Sequence, residues 1–247
     1  MSGPLALPAQ SHSALDDALI ILRLAFIYAL LGLISHWLAR GLIGLTASSL
    51  HIDTQFLLID ALFAGLIIVG SLLAACLLKP AGAMRWLWGP WRPARGPMIA
   101  MSLAVLMVLL ANPLADWVNL HIQTNLPWPE TSSAPRAVTP LLDLPAGRLL
   151  LALLITIVWV PLAEELVFRG WLFQGLAATR PGLLVALPST TLIFTLLHSF
   201  YSPGGMLVIA LLGLLLGWLR WRYQQLWPCI LAHALYNGLT LLLVTLT

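Results

Sequence analysis

Long apolar runs are the feature of this 247-residue chain that most constrains its fold. Seven of them have about the 17–25 residues that a helix needs to cross a hydrocarbon core of about 30 Å. They cover residues 18–45, 55–78, 97–113, 148–169, 183–200, 204–220 and 226–246. Backbone groups in lipid must be bonded within their own segment, and the runs lack the alternation of barrel strands. The predicted fold class is therefore all-α, a polytopic transmembrane helical bundle of about seven spans, with eight as the alternative.

Composition excludes most other classes of protein. Apolar residues make up 60% of the chain and charged residues only 9%, whereas soluble domains have about 45–50% and about 25%. A soluble enzyme, a DNA-binding module and a disordered protein are excluded, because so few charges cannot coat a soluble surface. We therefore expect no nucleic-acid partner. Cys76 and Cys229 lie in apolar runs and are predicted to be small buried hydrophobes rather than a disulfide.

Basic residues in the predicted loops indicate how the chain crosses the membrane, because cytoplasmic loops are rich in Lys and Arg. In a seven-span arrangement one side carries Lys79, Arg85, Arg92, Arg95, Arg180, Arg220 and Arg222. The opposite loops, 46–54 and 114–147, carry four acidic residues and one cation, Arg136. The pattern places the N-terminus in the cytoplasm. We expect an integral multi-pass protein in contact with the lipid bilayer, and its short loops and small size favour a bacterial inner membrane.

The chain divides in sequence into two parts of one integrated domain. Residues 1–147 hold the first spans and their loops, and residues 148–247 form the predicted catalytic core. The 114–147 loop is the longest and is predicted to be a plain connector, with a short interfacial helix at its start, residues 114–126, as the alternative. Trp128 suits the headgroup level of the membrane. The four prolines next to it and after it, at positions 127, 129, 135 and 140, favour a stiff, extended segment.

Ionisable residues inside the spans are costly in lipid and are therefore functional candidates. Away from the span ends these are Asp60, Glu164, Glu165, Arg169, His198 and His233, with Asn237 as a polar companion. Asp60 lies about one turn inside its span, which favours an interfacial position. The others occupy three separated spans. We predict that they converge in one polar pocket.

Helical spacing divides the candidates of the fourth span into a pair and a single carboxylate. Glu165 and Arg169 are four residues apart and can pair on one face. Glu164 diverges from Glu165 by about 100° and is left without a local counter-ion. A carboxylate in that position is a candidate general base. The structural alternative is a buried ion cluster of all three residues that only fixes helix packing.

The two histidines lie on later spans. His233 and Asn237 are again four residues apart and project from one face, whereas His198 lies near the end of its span. For Glu164 to meet His198, the helix that carries Glu164 must continue beyond Arg169 towards residue 178, and we predict that it does. Glu164 and His198 could then activate a water, with His233 and Asn237 donating to the oxyanion. The same set could instead bind zinc.

Three motifs carry a resemblance to a known family. They are EExxxR at Glu164–Arg169, FxxxH at Phe194–His198 and HxxxN at His233–Asn237, in that order on late spans. HExxH, GxSG and GxGD are absent from the sequence. The arrangement over about residues 148–240 resembles the CPBP family, the CAAX-processing and bacteriocin-processing (Abi) membrane proteases, which include type II CAAX prenyl endopeptidases.

The resemblance implies a glutamate-dependent intramembrane endopeptidase that acts on a peptide or membrane-protein substrate. It implies that Glu164 and His198 activate water and that His233 and Asn237 stabilise the oxyanion. It does not fix a cofactor, and a divalent metal such as zinc stays open. The alternative from another class is a non-catalytic immunity or peptide-binding protein that uses the same pocket. A small transporter is disfavoured, because no repeated half is visible.

Overall fold

The computed structural model describes residues 14–47, 49–78, 82–90, 96–122 and 144–246. These residues form helices joined by turns, without a strand in the described ranges. The helices are α1 Ala14–Thr46, α2 Ile52–Leu78, α3 Ala83–Trp88, α4 Gly96–Ile122, α5 Ala146–Ala177, α6 Leu183–Leu197, α7 Pro203–Tyr223 and α8 Trp227–Leu246. The predicted all-α bundle is confirmed.

The lipid-facing surface accounts for the apolar composition. Helices α1, α2, α4, α5 and α7 are long and apolar enough to span a membrane, and α6 and α8 are shorter apolar helices. Leucines on the outside of the bundle are exposed, with Leu45 85% and Leu77 79% accessible. A soluble protein rarely exposes so large a contiguous apolar surface. The chain is therefore an integral multi-pass membrane protein, whose described ranges hold five apolar helices of spanning length and two shorter ones, one for each predicted run.

Helix α4 differs from the prediction. The expected end at residue 113 is wrong, because α4 passes through Pro113 and continues to Ile122, so no separate interfacial helix begins at residue 114. Small residues on one face of α4, among them Ala111 and Ala115 on either side of the proline, pack against α7 and α8. Trp128 and the prolines that follow α4 lie outside the described residues.

Helix α5 is long and irregular. It contains two π-helical stretches, Ile155–Trp159 and Leu166–Leu172, on either side of an α-helical segment. It continues past Arg169 to Ala177, as predicted. This continuation places Glu164 about 20 Å from the end of the helix at about 1.5 Å per residue. Glu164 therefore lies at a depth that α6 and α8 can reach.

Arg220 is not the loop cation that the sequence predicted. Helix α7 continues to Tyr223, and Arg220 is fully buried. Its guanidinium donates to the carbonyl oxygens of Leu87 at 2.9 Å and Trp86 at 3.3 Å. These carbonyls lie at the C-terminus of α3, where helical partners are missing. Arg220 therefore anchors α3 to α7 instead of contributing to the charge of a loop.

The two cysteines are both free, as predicted, but their surroundings differ. Cys229 is buried, whereas Cys76 is exposed on α2, so the prediction that both are buried is wrong for Cys76. The run that contains Cys76 is apolar because part of it faces lipid rather than the bundle interior. Asp60 lies on the same helix with an exposed side chain.

Candidate active site

The structure brings the predicted polar residues of α5, α6 and α8 together. Glu164 Oε1 lies 3.9 Å from Nε2 of His198, which directly follows α6. Glu164 Oε2 lies 3.7 Å from Nε2 of His233 on α8. Oε1 of Glu165 lies 2.9 Å from Nδ1 of His233. Two carboxylates and two imidazoles thus meet, as the prediction of a single polar pocket requires.

Glu165 is bound to Arg169, as the helical spacing predicts. Nη1 of Arg169 donates to Oε1 of Glu165 at 2.8 Å, and both side chains are fully buried. Nη2 donates to the carbonyl oxygen of Gly213 on α7 at 3.0 Å. The guanidinium also lies 4.9 Å from the ring centroid of Phe194. Arg169 therefore balances the charge of Glu165 and ties α5 to α7.

Glu164 has different surroundings from its neighbour. Its side chain is 25% accessible, and within the described part of the chain it faces the two histidines rather than a lysine or arginine. At 3.7 Å and 3.9 Å these approaches are too long for hydrogen bonds. The carboxylate therefore keeps lone pairs available for a further donor. A water or a substrate group can supply that donor.

Hydrogen bonds assign the orientation of both imidazole rings. Nδ1 of His198 lies 2.7 Å from the carbonyl oxygen of Phe194, which can only accept, so Nδ1 is the donor. Nδ1 of His233 donates in the same way to Glu165, because that carboxylate is paired with Arg169. In a neutral imidazole the other nitrogen then has a lone pair. Both Nε2 atoms face Glu164 as acceptors.

Phe194 explains the spacing of the second motif. Four residues before His198, it supplies both the carbonyl acceptor and a ring whose centroid lies 4.7 Å from the His198 ring. The same buried ring packs edge-on against Phe168 at 5.1 Å and His233 at 5.9 Å. One aromatic side chain thus holds both histidines in place.

Asn237 lies one turn beyond His233 and contacts α5. Its amide nitrogen donates to the carbonyl oxygen of Thr156 at 3.0 Å. A carboxamide has two N–H groups, so a second donor stays available. The structure therefore places Asn237 on the α5 side of α8, although no distance to Glu164 ties it directly into the carboxylate cluster.

A polar clamp that the sequence did not reveal holds the turn after His198. Asn119 of α4 donates to the Ser202 hydroxyl at 3.1 Å and accepts from the backbone N–H of Gly204 at 2.9 Å. Ser202 also caps α7 by accepting from the Gly205 N–H at 3.1 Å. Ser202 followed by proline is a recognisable helix start, but Asn119 has no local signal because its partners are more than 80 residues away.

Tyr201 is a second residue that the sequence did not single out. Its ring is parallel to the His198 ring, with an angle of 6° and 6.1 Å between centroids. Its backbone N–H donates to the His198 carbonyl oxygen at 3.0 Å. Burial, and then the nearby Glu164 carboxylate, raise the pKa of the Tyr201 phenol. The hydroxyl therefore keeps its proton and is a hydrogen-bond donor near neutral pH.

The described residues do not fit a metal site. In those parts of the chain, no group of three or more His, Cys, Asp or Glu is arranged to hold a metal ion. No chemical step below is therefore assigned to a metal.

An apolar cavity of about 630 Å³ lies between α1, α2 and α5. Its α5 lining, Leu151, Leu154, Ile155, Val158 and Trp159, follows the spacing of one helix face. Thr156, which contacts Asn237 of α8, is not part of that lining. None of the six predicted site residues lines the cavity, so the cavity and the polar cluster are separate.

The fold and the cluster together define a multi-pass membrane protein with a buried carboxylate–imidazole site. Residues 146–239 match the family model described as type II CAAX prenyl endopeptidase Rce1-like. The resemblance predicted from the three motifs is confirmed over this segment, which contains all six predicted site residues and corresponds to a protease family. The match covers less than half of the chain. It does not include α1 to α4, which precede it. No curated protein and no solved structure matches this chain.

Proposed function

We propose that this protein is an intramembrane endopeptidase that hydrolyses a peptide bond of a membrane-associated protein or peptide. One observation carries the proposal: Glu164 faces the Nε2 atoms of His198 and His233, while the adjacent Glu165 is already paired with Arg169. A carboxylate that has no lysine or arginine partner among the described residues and lies next to two oriented imidazoles is suited to proton transfer. The match to a protease family supports the same chemistry.

The first step is activation of water by Glu164 and His198. A water beside the 3.9 Å gap can donate one hydrogen to the Glu164 carboxylate and the other to Nε2 of His198. Glu164 takes a proton as the water oxygen attacks the carbonyl carbon of the peptide bond. The carbon–nitrogen bond then breaks, and the proton passes from Glu164 to the leaving amine. Water is added across the bond, and Glu164 returns to its starting state.

The oxyanion formed in this step needs hydrogen-bond donors. Asn237 offers the N–H that is not bonded to Thr156. His233 can donate from Nε2 only when both of its ring nitrogens carry hydrogen, because Nδ1 is committed to Glu165. The role of His233 as an oxyanion donor therefore depends on Glu165, which accepts the Nδ1 hydrogen and fixes the orientation of the ring.

The proposal concerns the peptide bond and does not include recognition of a prenyl group. The apolar cavity between α1, α2 and α5 is large enough for a hydrocarbon chain, but none of the six predicted site residues lines it. A substrate that is itself embedded in the bilayer needs no such pocket, because the lipid already surrounds its apolar segment. Exposed Arg85, Arg180 and Arg222 support a cytoplasmic position for the loops that carry them. We propose the inner membrane of a bacterium as the location.

Zinc assistance is tested by removing the metal. We expect the purified chain in lipid nanodiscs to keep its peptidase activity after treatment with a strong chelator, because the donors are not arranged around one centre. Loss of activity on chelation, with recovery only on adding Zn²⁺, would show that the ion takes part.

The function itself is tested by comparing the termini of membrane proteins by mass spectrometry. Cells express the native chain, Glu164→Gln or the control Asp60→Asn, which removes an exposed carboxylate on α2. We expect new peptide ends with the native chain and with Asp60→Asn, and none with Glu164→Gln. Identical ends in all three, with the phenotype of the native chain retained by Glu164→Gln, would favour a non-catalytic immunity or peptide-binding protein.

A further inference from the structure

We propose that Tyr201 is a further catalytic residue of this site and that its phenol O–H donates to the oxyanion of the substrate. Tyr201 lies in the turn between α6 and α7 and outside the three motifs. The inference rests on the proposed peptidase function and adds a donor to it. Three features of the described residues carry it: the placement of the ring, the space reserved for it, and the supply of donors around Glu164.

The placement of Tyr201 is fixed through His198. The two rings are parallel with 6.1 Å between centroids, and the Tyr201 N–H is bonded to the His198 carbonyl oxygen. Phe200 packs against both rings, with centroids 5.7 Å from His198 and 4.6 Å from Tyr201. A tyrosine held in this way moves together with the histidine that contacts Glu164.

Neighbouring residues reserve the space that Tyr201 occupies. A Cβ atom at Gly205 would lie 3.0 Å from the Cβ of Tyr201, so a larger residue there would displace the tyrosine. A Cβ at Gly204 would lie 2.2 Å from the Ala115 carbonyl oxygen of α4. Asn119 bonds both Ser202 and Gly204. The turn is therefore locked against α4 with the tyrosine in one position.

Donors are scarce around Glu164, whereas acceptors are plentiful. The Glu164 carboxylate accepts only, and the neutral rings of His198 and His233 present lone pairs at Nε2. Asn237 adds one N–H. An oxyanion is stabilised by several donors aimed at it, and the Tyr201 hydroxyl is a further one. Its raised pKa, caused by burial and by Glu164, keeps the proton on the phenol oxygen.

The decisive variant is Tyr201→Phe, which keeps the ring against His198 and removes only the hydroxyl. The matched control is Tyr223→Phe, because Tyr223 is a partly buried tyrosine at the end of α7 that packs against Trp218, away from the three motifs. Both variants and the native chain are purified in nanodiscs. They are assayed with an internally quenched peptide built on a cleavage site found by the comparison of termini.

We expect Tyr201→Phe to lower kcat about 100-fold with KM nearly unchanged, the size of effect seen when one oxyanion donor is lost. Tyr223→Phe should keep the native kcat. Native kcat in Tyr201→Phe, with Glu164→Gln inactive, would overturn the inference about Tyr201 alone. An active Glu164→Gln would overturn the proposed function itself, so the two failures are distinguishable.

A second variant covers the case in which Tyr201→Phe does not fold. Incorporation of 3,5-difluorotyrosine at position 201 keeps the size of the ring and gives a phenol that loses its proton at lower pH. We expect the alkaline fall of kcat to move to lower pH in this variant. An unchanged alkaline limb would contradict a donor role for the hydroxyl, because a purely structural ring would not alter the pH profile.

Discussion

Glu164 and Glu165 are adjacent in the chain, but only Glu165 is paired with an arginine, and Glu164 faces two imidazole nitrogens instead. The difference follows from helix geometry, because neighbouring side chains diverge by about 100°. Glu165 is held in the packed interior by its ion pair with Arg169, whereas Glu164 is available for proton transfer. The first two predictions separate these roles.

Replacement of Glu164 by Gln should abolish proton transfer and leave the fold intact. The side chain is partly accessible and forms no hydrogen bond with either histidine at 3.7–3.9 Å, so the amide replaces it without a lost contact. We expect kcat to fall by about 10²–10⁴ and the midpoint of thermal unfolding to stay unchanged. A large drop in that midpoint would show that Glu164 is structural.

Replacement of Glu165 by Gln, or of Arg169 by Ala, should instead destabilise the protein. Either change leaves a charge buried without its partner, which costs about 3–5 kcal/mol of unfolding free energy. The double variant should lose less than the sum of the two single variants, because the pair is removed together. Unfolding in mixed micelles with increasing denaturing detergent measures these energies. Additive losses would mean that the ion pair contributes nothing.

The Asn119 clamp predicts an effect on catalysis from a residue of α4. Asn119→Ala removes two hydrogen bonds to the turn that carries Tyr201 and Ser202. We expect a loss of about 1–3 kcal/mol in stability and a lower kcat, because the turn that follows His198 is no longer fixed. The control is Leu120→Ala on the same helix, at a side chain that is 74% exposed. Equal kcat for the two variants would contradict the prediction.

Two glycines around α3 offer a matched pair. Both have positive φ, 95° at Gly82 and 79° at Gly89, but only Gly89 is crowded, with the Gln224 carbonyl oxygen 1.8 Å from an added Cβ. Gly82→Ala should cost only the backbone strain of about 1–2 kcal/mol. Gly89→Ala should cost more, because it also separates α3 from the turn between α7 and α8. Thermal unfolding of both variants tests this, and equal losses would refute it.

The raised pKa of Tyr201 predicts a loss of stability at alkaline pH. The unfolded chain releases the phenol proton near pH 10, its ordinary value, whereas the folded chain holds it to higher pH. The folded state then binds more protons, so the unfolding free energy falls as the pH rises from about 10 through the folded pKa. Tyr201→Phe should flatten this fall. Parallel curves for the native chain and the variant would argue against it.

Much of the site could be predicted because its residues are spaced locally. Glu165 with Arg169 and Phe194 with His198 lie one helical turn apart, so helix geometry alone brings each pair together. The continuation of α5 beyond Arg169 was also predictable, because the following stretch is apolar and free of proline. These inferences need no knowledge of tertiary packing.

The remaining features depend on tertiary contacts that leave no local pattern. Asn119 meets Ser202 only because α4 packs against α7. Pro113 ordinarily indicates a helix end, but packing of the small residues of α4 overrides that tendency. Arg220 has the sequence context of a loop cation and is nevertheless buried, because the carbonyl groups of α3 provide its partners.

The contact between α4 and the turn after His198 limits how this protein can be divided. The segment that matches the protease family begins at residue 146, yet Asn119 and Ala115, against which that turn is locked, precede it. An excised fragment that starts at the family boundary would contain every motif residue and lack the surface that holds one of them. Split-protein or domain-swap designs should therefore cut before α4. A chimera joined after α4 would contain the catalytic residues without the α4 surface that holds the turn after His198.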